Sequence, residues 1–230
     1  MNRKLEKALR FCADLLFPPR CVLCDGIVAP GASVCEACAA QLERVEKTPG
    51  VNLRVCGQNI PCTVLYPYEG RVRDSILRFK FGGRRQYAEF YGERLARAVR
   101  RELPPAGLVT AVPLSERRRR ERGYNQSELV ARRAAAVLGL PYAACLKKAA
   151  DNRPQHLLGR EERARNVRGV YRPLGGCAAG KQVLLIDDIV TTGATLAACC
   201  EALLAGGAAS VACAAVARTP EERVEKRPAM

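Results

Sequence analysis

A chain of 230 residues holds one ordinary α/β domain and a small appendage. Its 48% hydrophobic content suffices for a core that Ala, Leu and Val must fill, since aromatics are 5% and Trp is absent, and 27% charged residues exclude wholesale disorder. Thirty-eight Lys and Arg against twenty-three acids leave a formal charge of +15, which suits polyanionic partners (nucleic acid, an anionic membrane, phosphorylated metabolites) or a merely solvated basic surface.

In chain order, residues 1–17 place Leu5, Ala8, Leu9, Cys12 and Leu16 at helical spacing, with Pro18 and Pro19 as the stop. Glu6 and Asp14 interrupt the apolar stretch, so this segment reads as an amphipathic helix and not as a signal peptide. It docks on its own domain or touches a membrane surface; no run approaches the roughly 18 apolar residues of a membrane span. Residues 18–50 form a small turn-rich module with a short helix over 36–45. A linker at Pro49-Gly50 leads to a domain over 60–218. There the pattern predicts a strand over 63–68 and helices over 72–81 and 87–101, separated by Gly82-Gly83. A strand over 108–112, a helix over 125–138 and a strand over 141–146 follow. The clearest buried strand lies over 182–187, then a helix over 193–204 and a strand over 210–216. Alternating strands and helices predict an α/β fold, a parallel sheet flanked by helices, with a small N-terminal zinc-binding module. Residues 219–230 read as a solvated tail.

Twelve cysteines without a secretion signal point to a reducing compartment, where clustered cysteines bind metal more often than they form disulfides. Cys21 and Cys24, then Cys35 and Cys38, make two CxxC pairs with ten residues between them. A two-residue gap lets both thiolates of a pair turn toward one ion, so the set predicts structural Zn²⁺ in a closed tetrahedron. A redox CxxC is the alternative, and it lacks a surrounding βαβ pattern. Such a staple serves a module too short for a core of its own. Cys56 and Cys62 bind a second metal or are plain thiols; Cys145, Cys199, Cys200 and Cys213 read as small core hydrophobes.

The segment VLLIDDIVTTGATL, residues 183–196, carries the most chemistry. An apolar strand delivers Asp187 and Asp188 at its C-terminal end, where open α/β sheets bind ligands. Thr191, Thr192, Gly193, Ala194 and Thr195 then turn into a helix, presenting backbone N–H groups and hydroxyls to a phosphate, with Gly193 permitting close backbone approach. Paired carboxylates suit the two hydroxyls of a ribose, or Mg²⁺ held through water.

This segment resembles the phosphoribosyl-pyrophosphate (PRPP) signature of type I phosphoribosyltransferases. The resemblance implies Asp187 and Asp188 at the ribose hydroxyls, Thr191 to Thr195 around the 5-phosphate, and Mg²⁺ on the pyrophosphate. Purine-salvage members commonly carry an acid where Thr191 stands; this chain has none there. The order of a Cys₄ knuckle, Tyr68-Glu69-Gly70, LRFKFGGRR, VPLSERRRRERGYNQSELVA, RPQHLLGREERARNVRGVY and the ribose–phosphate loop resembles the ComF family of bacterial competence proteins, including its GntX-like members. That likeness implies a type I phosphoribosyltransferase-like sheet, a cytoplasmic protein with peripheral inner-membrane contact as an option, and a place in DNA uptake.

In that fold the loop after Pro113 faces the pyrophosphate, so Arg117, Arg118 and Arg122 are candidates for neutralising it, with Asn125 and Gln126 opening the next helix. The remaining arginines of SERRRRER are a solvated run or contacts to single-stranded DNA. The resemblance makes the stretch around Gly159 a loop over the pocket and carries Arg153, Gln155, Arg163 and Asn166 to it. His156 is the only histidine, so no Ser–His–Asp triad can be built elsewhere. No catalytic residue or acceptor nucleophile is visible. Three readings follow: a phosphoribosyltransferase of unknown acceptor, a non-catalytic DNA-uptake factor or sensor that uses the same pocket among competence-machinery partners, and an accessory protein of sugar or nucleotide metabolism.

Overall fold

The run Val183 to Ile186 is too apolar for a sheet edge, and it lies in an interior strand of the sheet. In the computed structural model, which describes residues 18–45, 48, 50–149 and 169–220, helix α1 (Glu36–Val45) completes the cysteine module. Strands β1 (Val51–Val55) and β2 (Gln58–Pro67), helices α2 (Gly70–Phe81) and α3 (Tyr87–Glu102) and strand β3 (Leu108–Ala111) follow. Next come α4 (Glu116–Arg122), α5 (Gln126–Leu138), β4 (Leu146–Lys148) and β5 (Tyr171–Pro173). Strand β6 (Gln182–Val190), helix α6 (Ala194–Ala205) and strand β7 (Ser210–Arg218) close the domain. The expected helix over 1–17, the tail beyond 220, and Arg153, Gln155, His156, Arg163 and Asn166 lie outside the described residues.

The main sheet runs β1-β2-β7-β6-β3, parallel throughout except for the antiparallel β1–β2 pair. Period-two alternation sends β6 side chains to two cores. Leu184 and Ile186 face α2, α3 and α5, whereas Val183 and Leu185 face α6 and the β4–β5 hairpin. Both faces are thus covered, as a parallel sheet requires. Gly92 marks the close approach of α3 and α5: a Cβ there would lie 2.6 Å from Arg133 Cβ and 3.0 Å from the Val130 carbonyl oxygen. Among the described residues no helix is long and apolar enough to cross a membrane.

Several elements differ from the sequence reading. After the expected linker at Pro49-Gly50 comes a hairpin that the pattern did not predict: Cys56 and Gly57, both at positive φ, make the two-residue turn between β1 and β2. Val51 pairs with Cys62 at the far end, so Cys56 and Cys62 stand at opposite ends of the hairpin and cannot share a metal. The arginine run is a helix, because Ser115 caps it by accepting from the Arg118 N–H (3.4 Å) and Gly123 ends it in the left-handed conformation. The strand expected over 141–146 reduces to a bridge between Tyr142 and Val109, followed by the short β4. Cys145 is buried as expected, but it is not a free thiol: the β4–β5 pairing brings it to Cys177 with a Cα separation of 5.3 Å, and the two are disulfide-bonded. Cys199, Cys200 and Cys213 are free, buried thiols.

Candidate functional site: an acidic pair under a basic wall

Strand β6 outruns its neighbour. The β3 pairing ends at Ala111 opposite Ile186, while β7 continues alongside β6 to Val190. Beyond Ile186 the β3 side of β6 therefore opens into a cavity of about 350 Å³, and Asp187 and Asp188 line it.

Each acid is held by a group from another element. Asp187 is buried, and its Oδ1 accepts from the Ser127 hydroxyl (2.9 Å) and from the Asp188 N–H (2.8 Å). Burial, with the adjacent Asp188 charge, pushes its carboxyl up to about 7; those two hydrogen bonds and Lys80 oppose the rise. Asp188 Oδ2 lies 3.0 Å from Lys80 Nζ, both side chains being only 14% exposed. Arg117, Arg118 and Arg122 of α4 line the same cavity. Arg122 donates to Gln126 Oε1 (3.1 Å) and lies over the Phe81 ring; burial pulls its pKa down, and the Asp188 charge opposes that. Lys148 of β4, Tyr171 of β5 and Tyr68 complete the wall. Two acids and five cations make this a cavity for a polyanion that also carries hydroxyls.

Not every expected residue lines the cavity. Thr191 and Thr195 do; Thr192, Gly193 and Ala194 stand beside them. Gly193 has φ 77°, and a Cβ there would come within 2.6 Å of Leu53 Cδ2. Its smallness thus serves the packing of α6 against β1. Thr192 Oγ1 accepts from the Ala194 N–H (3.4 Å), at the start of a helix whose first-turn N–H groups have no intrahelical acceptor. Asn125 and Gln126 support the wall from behind: Asn125 donates to the Val112 carbonyl (2.9 Å) and accepts from the Ser127 N–H (3.1 Å), and Gln126 is buried. The sequence reading did not single out Lys80, Ser127, Lys148 or Tyr171. The signal for Lys80 was a lone cation between Phe79 and Phe81, and for Ser127 its place directly after Asn125-Gln126.

The second site is the cysteine cluster. The sulfurs of Cys21, Cys24, Cys35 and Cys38 lie within 4.8 Å of one another, with Cys24 and Cys35 at 3.8 Å. A Zn–S bond of about 2.3 Å gives a tetrahedron with edges of about 3.8 Å, so the four fit Zn²⁺. The Cys35 N–H reaches Cys21 Sγ (3.4 Å), and Arg71 Nη1 reaches Cys38 Sγ (3.3 Å).

The phosphoribosyl transferase domain matches this chain over residues 92–229. The chain belongs to that family. A double zinc ribbon domain matches residues 12–61, around the cysteine cluster, and supports a structural zinc there. No curated protein matches the chain. Among solved structures, the glutamine PRPP amidotransferase of B. subtilis complexed with ADP and GMP is 23% identical over 57% of this chain and 26% of its own, with a TM-score of 0.40. A structure of the allosteric regulatory enzyme of purine biosynthesis is 24% identical over 57% of this chain and 25% of its own, with the same score. A protein of Thermus thermophilus is 21% identical over 61% of this chain and 79% of its own, with a score of 0.37. The chain spans about a quarter of the length of the first two.

Proposed function

We propose that this phosphoribosyl transferase domain binds PRPP with Mg²⁺, and that the chain is of the ComF type, with a role in DNA uptake. The observation that carries the binding reading is the acidic pair, anchored by Ser127 and Lys80 at the open end of β6, in a cavity of ligand size that three arginines also line. Asp187 and Asp188 would accept from the ribose hydroxyls, and the turn from Thr191 to Thr195 would hold the 5-phosphate. Arg117, Arg118 and Arg122 would bind the pyrophosphate and stabilise the charge that it gains as the bond to C1 breaks.

The residues fit Mg²⁺. Two carboxylates offer hard oxygens, and Lys80 already offsets one charge, which suits an ion held through water and the ligand's own oxygens rather than a protein cage. When bound, Mg²⁺ would neutralise the pyrophosphate as a leaving group. Thr191 provides no carboxylate for proton transfer to a purine base, so hypoxanthine- or guanine-type transfer is disfavoured. Arg153, Gln155, Arg163 and Asn166 are proposed as the loop over the pocket.

Calorimetric titration of the full chain with PRPP and Mg²⁺ tests this reading. Binding is expected for the wild type, and Asp187→Asn with Asp188→Asn should weaken it at least about a hundredfold, since each lost charged hydrogen bond is worth about 1.5–3 kcal/mol. No heat, or equal binding by the double variant, would sink the reading. A second reading rests on the +15 charge: a non-catalytic factor that binds single-stranded DNA. Its affinity should then fall steeply with salt, and replacing Arg119 and Arg120 together should reduce the slope by about 1.4 for two lost phosphate contacts. Release of pyrophosphate with any nucleophile decides for the enzyme.

A further inference from the structure

Helix α2 lies between the two sites. Its 12 residues have a buried face of Val72, Ile76 and Phe79 in the core. Arg71 and Arg78 are seven residues apart, two turns, and so share a face. Both reach the cysteine module: Arg71 touches the ligand sulfur of Cys38, and Arg78 Nη2 donates to the carbonyls of Leu23 (2.5 Å) and Val22 (3.4 Å), inside the first knuckle. Lys80 follows Arg78 by two positions, about 200° around the helix. It therefore points the opposite way, into the sugar pocket, where its ammonium meets Asp188. The Tyr124 hydroxyl donates to the Phe79 carbonyl at this same turn, so the end of α2 is held directly beside Lys80.

We propose that Lys80 is a positioning residue of the pocket and that the zinc knuckle, acting through Arg78 and α2, sets its place, so that affinity for a sugar diphosphate depends on zinc. The inference rests on the PRPP reading. Two adjacent carboxylates in a half-enclosed cavity repel each other and a polyanion alike; a cation fixed beside them keeps Asp188 oriented and moderates its charge. A lysine has the freedom to swing away, and a short helix gripped at its other face removes part of that freedom. The knuckle supplies no group to the cavity lining, so its influence has to pass through the helix.

The test is calorimetry with PRPP and Mg²⁺ on the full chain, with zinc per chain measured by elemental analysis. Lys80→Met should weaken binding about ten- to a hundredfold, the loss expected for one charge-assisted hydrogen bond, and Lys80→Arg should recover most of it. Arg78→Met, which leaves all four sulfurs and the zinc in place, should weaken binding in the wild-type background but not in the Lys80→Met background, because two changes acting through one contact are not additive. Zinc removal by a chelator should show the same pattern. Wild-type affinity in Lys80→Met, or a failure of Lys80→Arg to rescue, would overturn the role of Lys80. Equal, additive losses from Arg78→Met in both backgrounds would overturn the coupling. A wild type that takes up no PRPP would overturn the pocket reading, and this inference with it.

Discussion

The cysteine module and the acidic pocket at the end of β6 both gather charged groups, by opposite routes. The four sulfurs come from 18 consecutive residues, Cys21 to Cys38, and each pair is brought together by its own turn: in the first, the Asp25 N–H bonds to the Cys21 carbonyl at 2.9 Å. The pocket draws on six separate stretches, from Tyr68 to Thr195, and its acids meet Lys80 and Ser127 only once the sheet is built. A local site owes its geometry to spacing. A distributed one owes it to strand order, here to β3 ending before β6 does. Breaking the first should therefore leave the sheet standing, whereas strain in the sheet should reach the second.

The largest effect is expected from Cys38→Ser. It removes a buried ligand sulfur and the partner of Arg71. Zinc binding in small modules supplies about 10–16 kcal/mol of folding free energy, so the module over residues 18–45 should lose its structure. Elemental analysis should give under half an equivalent of zinc, and proteolysis should cut first within the module while the sheet core stays protected. Cleavage spread evenly through the sheet would erase the contrast between the two regions.

Gly193→Val comes next. The left-handed φ of 77° and the overlap with Leu53 together should cost about 3 kcal/mol in a urea melt. Pairing it with Leu53→Ala should relieve the overlap and leave the backbone strain. If the double variant is as unstable as the single, the packing of β1 on α6 is not what demands glycine.

The smallest effect concerns pH. Folded Asp187 titrates near 7 against an ordinary 3.8, chiefly because it is buried, so between those values the folded chain holds a proton that the unfolded chain releases. The contribution to stability is full below 3.8 and is lost as pH rises through 7. Relative to Asp187→Asn, wild-type stability should fall by about 1 kcal/mol between pH 6 and pH 8. PRPP affinity, which needs the ionised acceptor, should rise over the same range; a flat difference between the two proteins would show that Asp187 titrates elsewhere.

Much of this was legible in the residues. The long apolar strand, the helices over 72–81 and 87–101 and the helix opening at Asn125 all follow from period and caps, and the structure carries them with shifts of one to three residues at their ends. The arginine helix escaped a reading based on apolar period because it has no buried residue; its caps, Ser115 and Gly123, were the available sign. The β1–β2 hairpin was hidden behind Pro49-Gly50, and the Cys145–Cys177 bond behind a separation of 32 residues that no local pattern spans.

By itself, then, the sequence determined whatever depends on neighbours along the chain: the spacing of the zinc thiolates, the apolar run of β6, and the two acids followed by a small-residue turn. Only the tertiary structure decided which side chains meet those acids. It placed Lys80 on Asp188 and Ser127 on Asp187, brought the arginines to the same cavity, and packed Gly193 against Leu53. The reason is physical: a charge pair or a close approach between distant residues is set by which strands adjoin and where they stop, and no spacing along the chain records it.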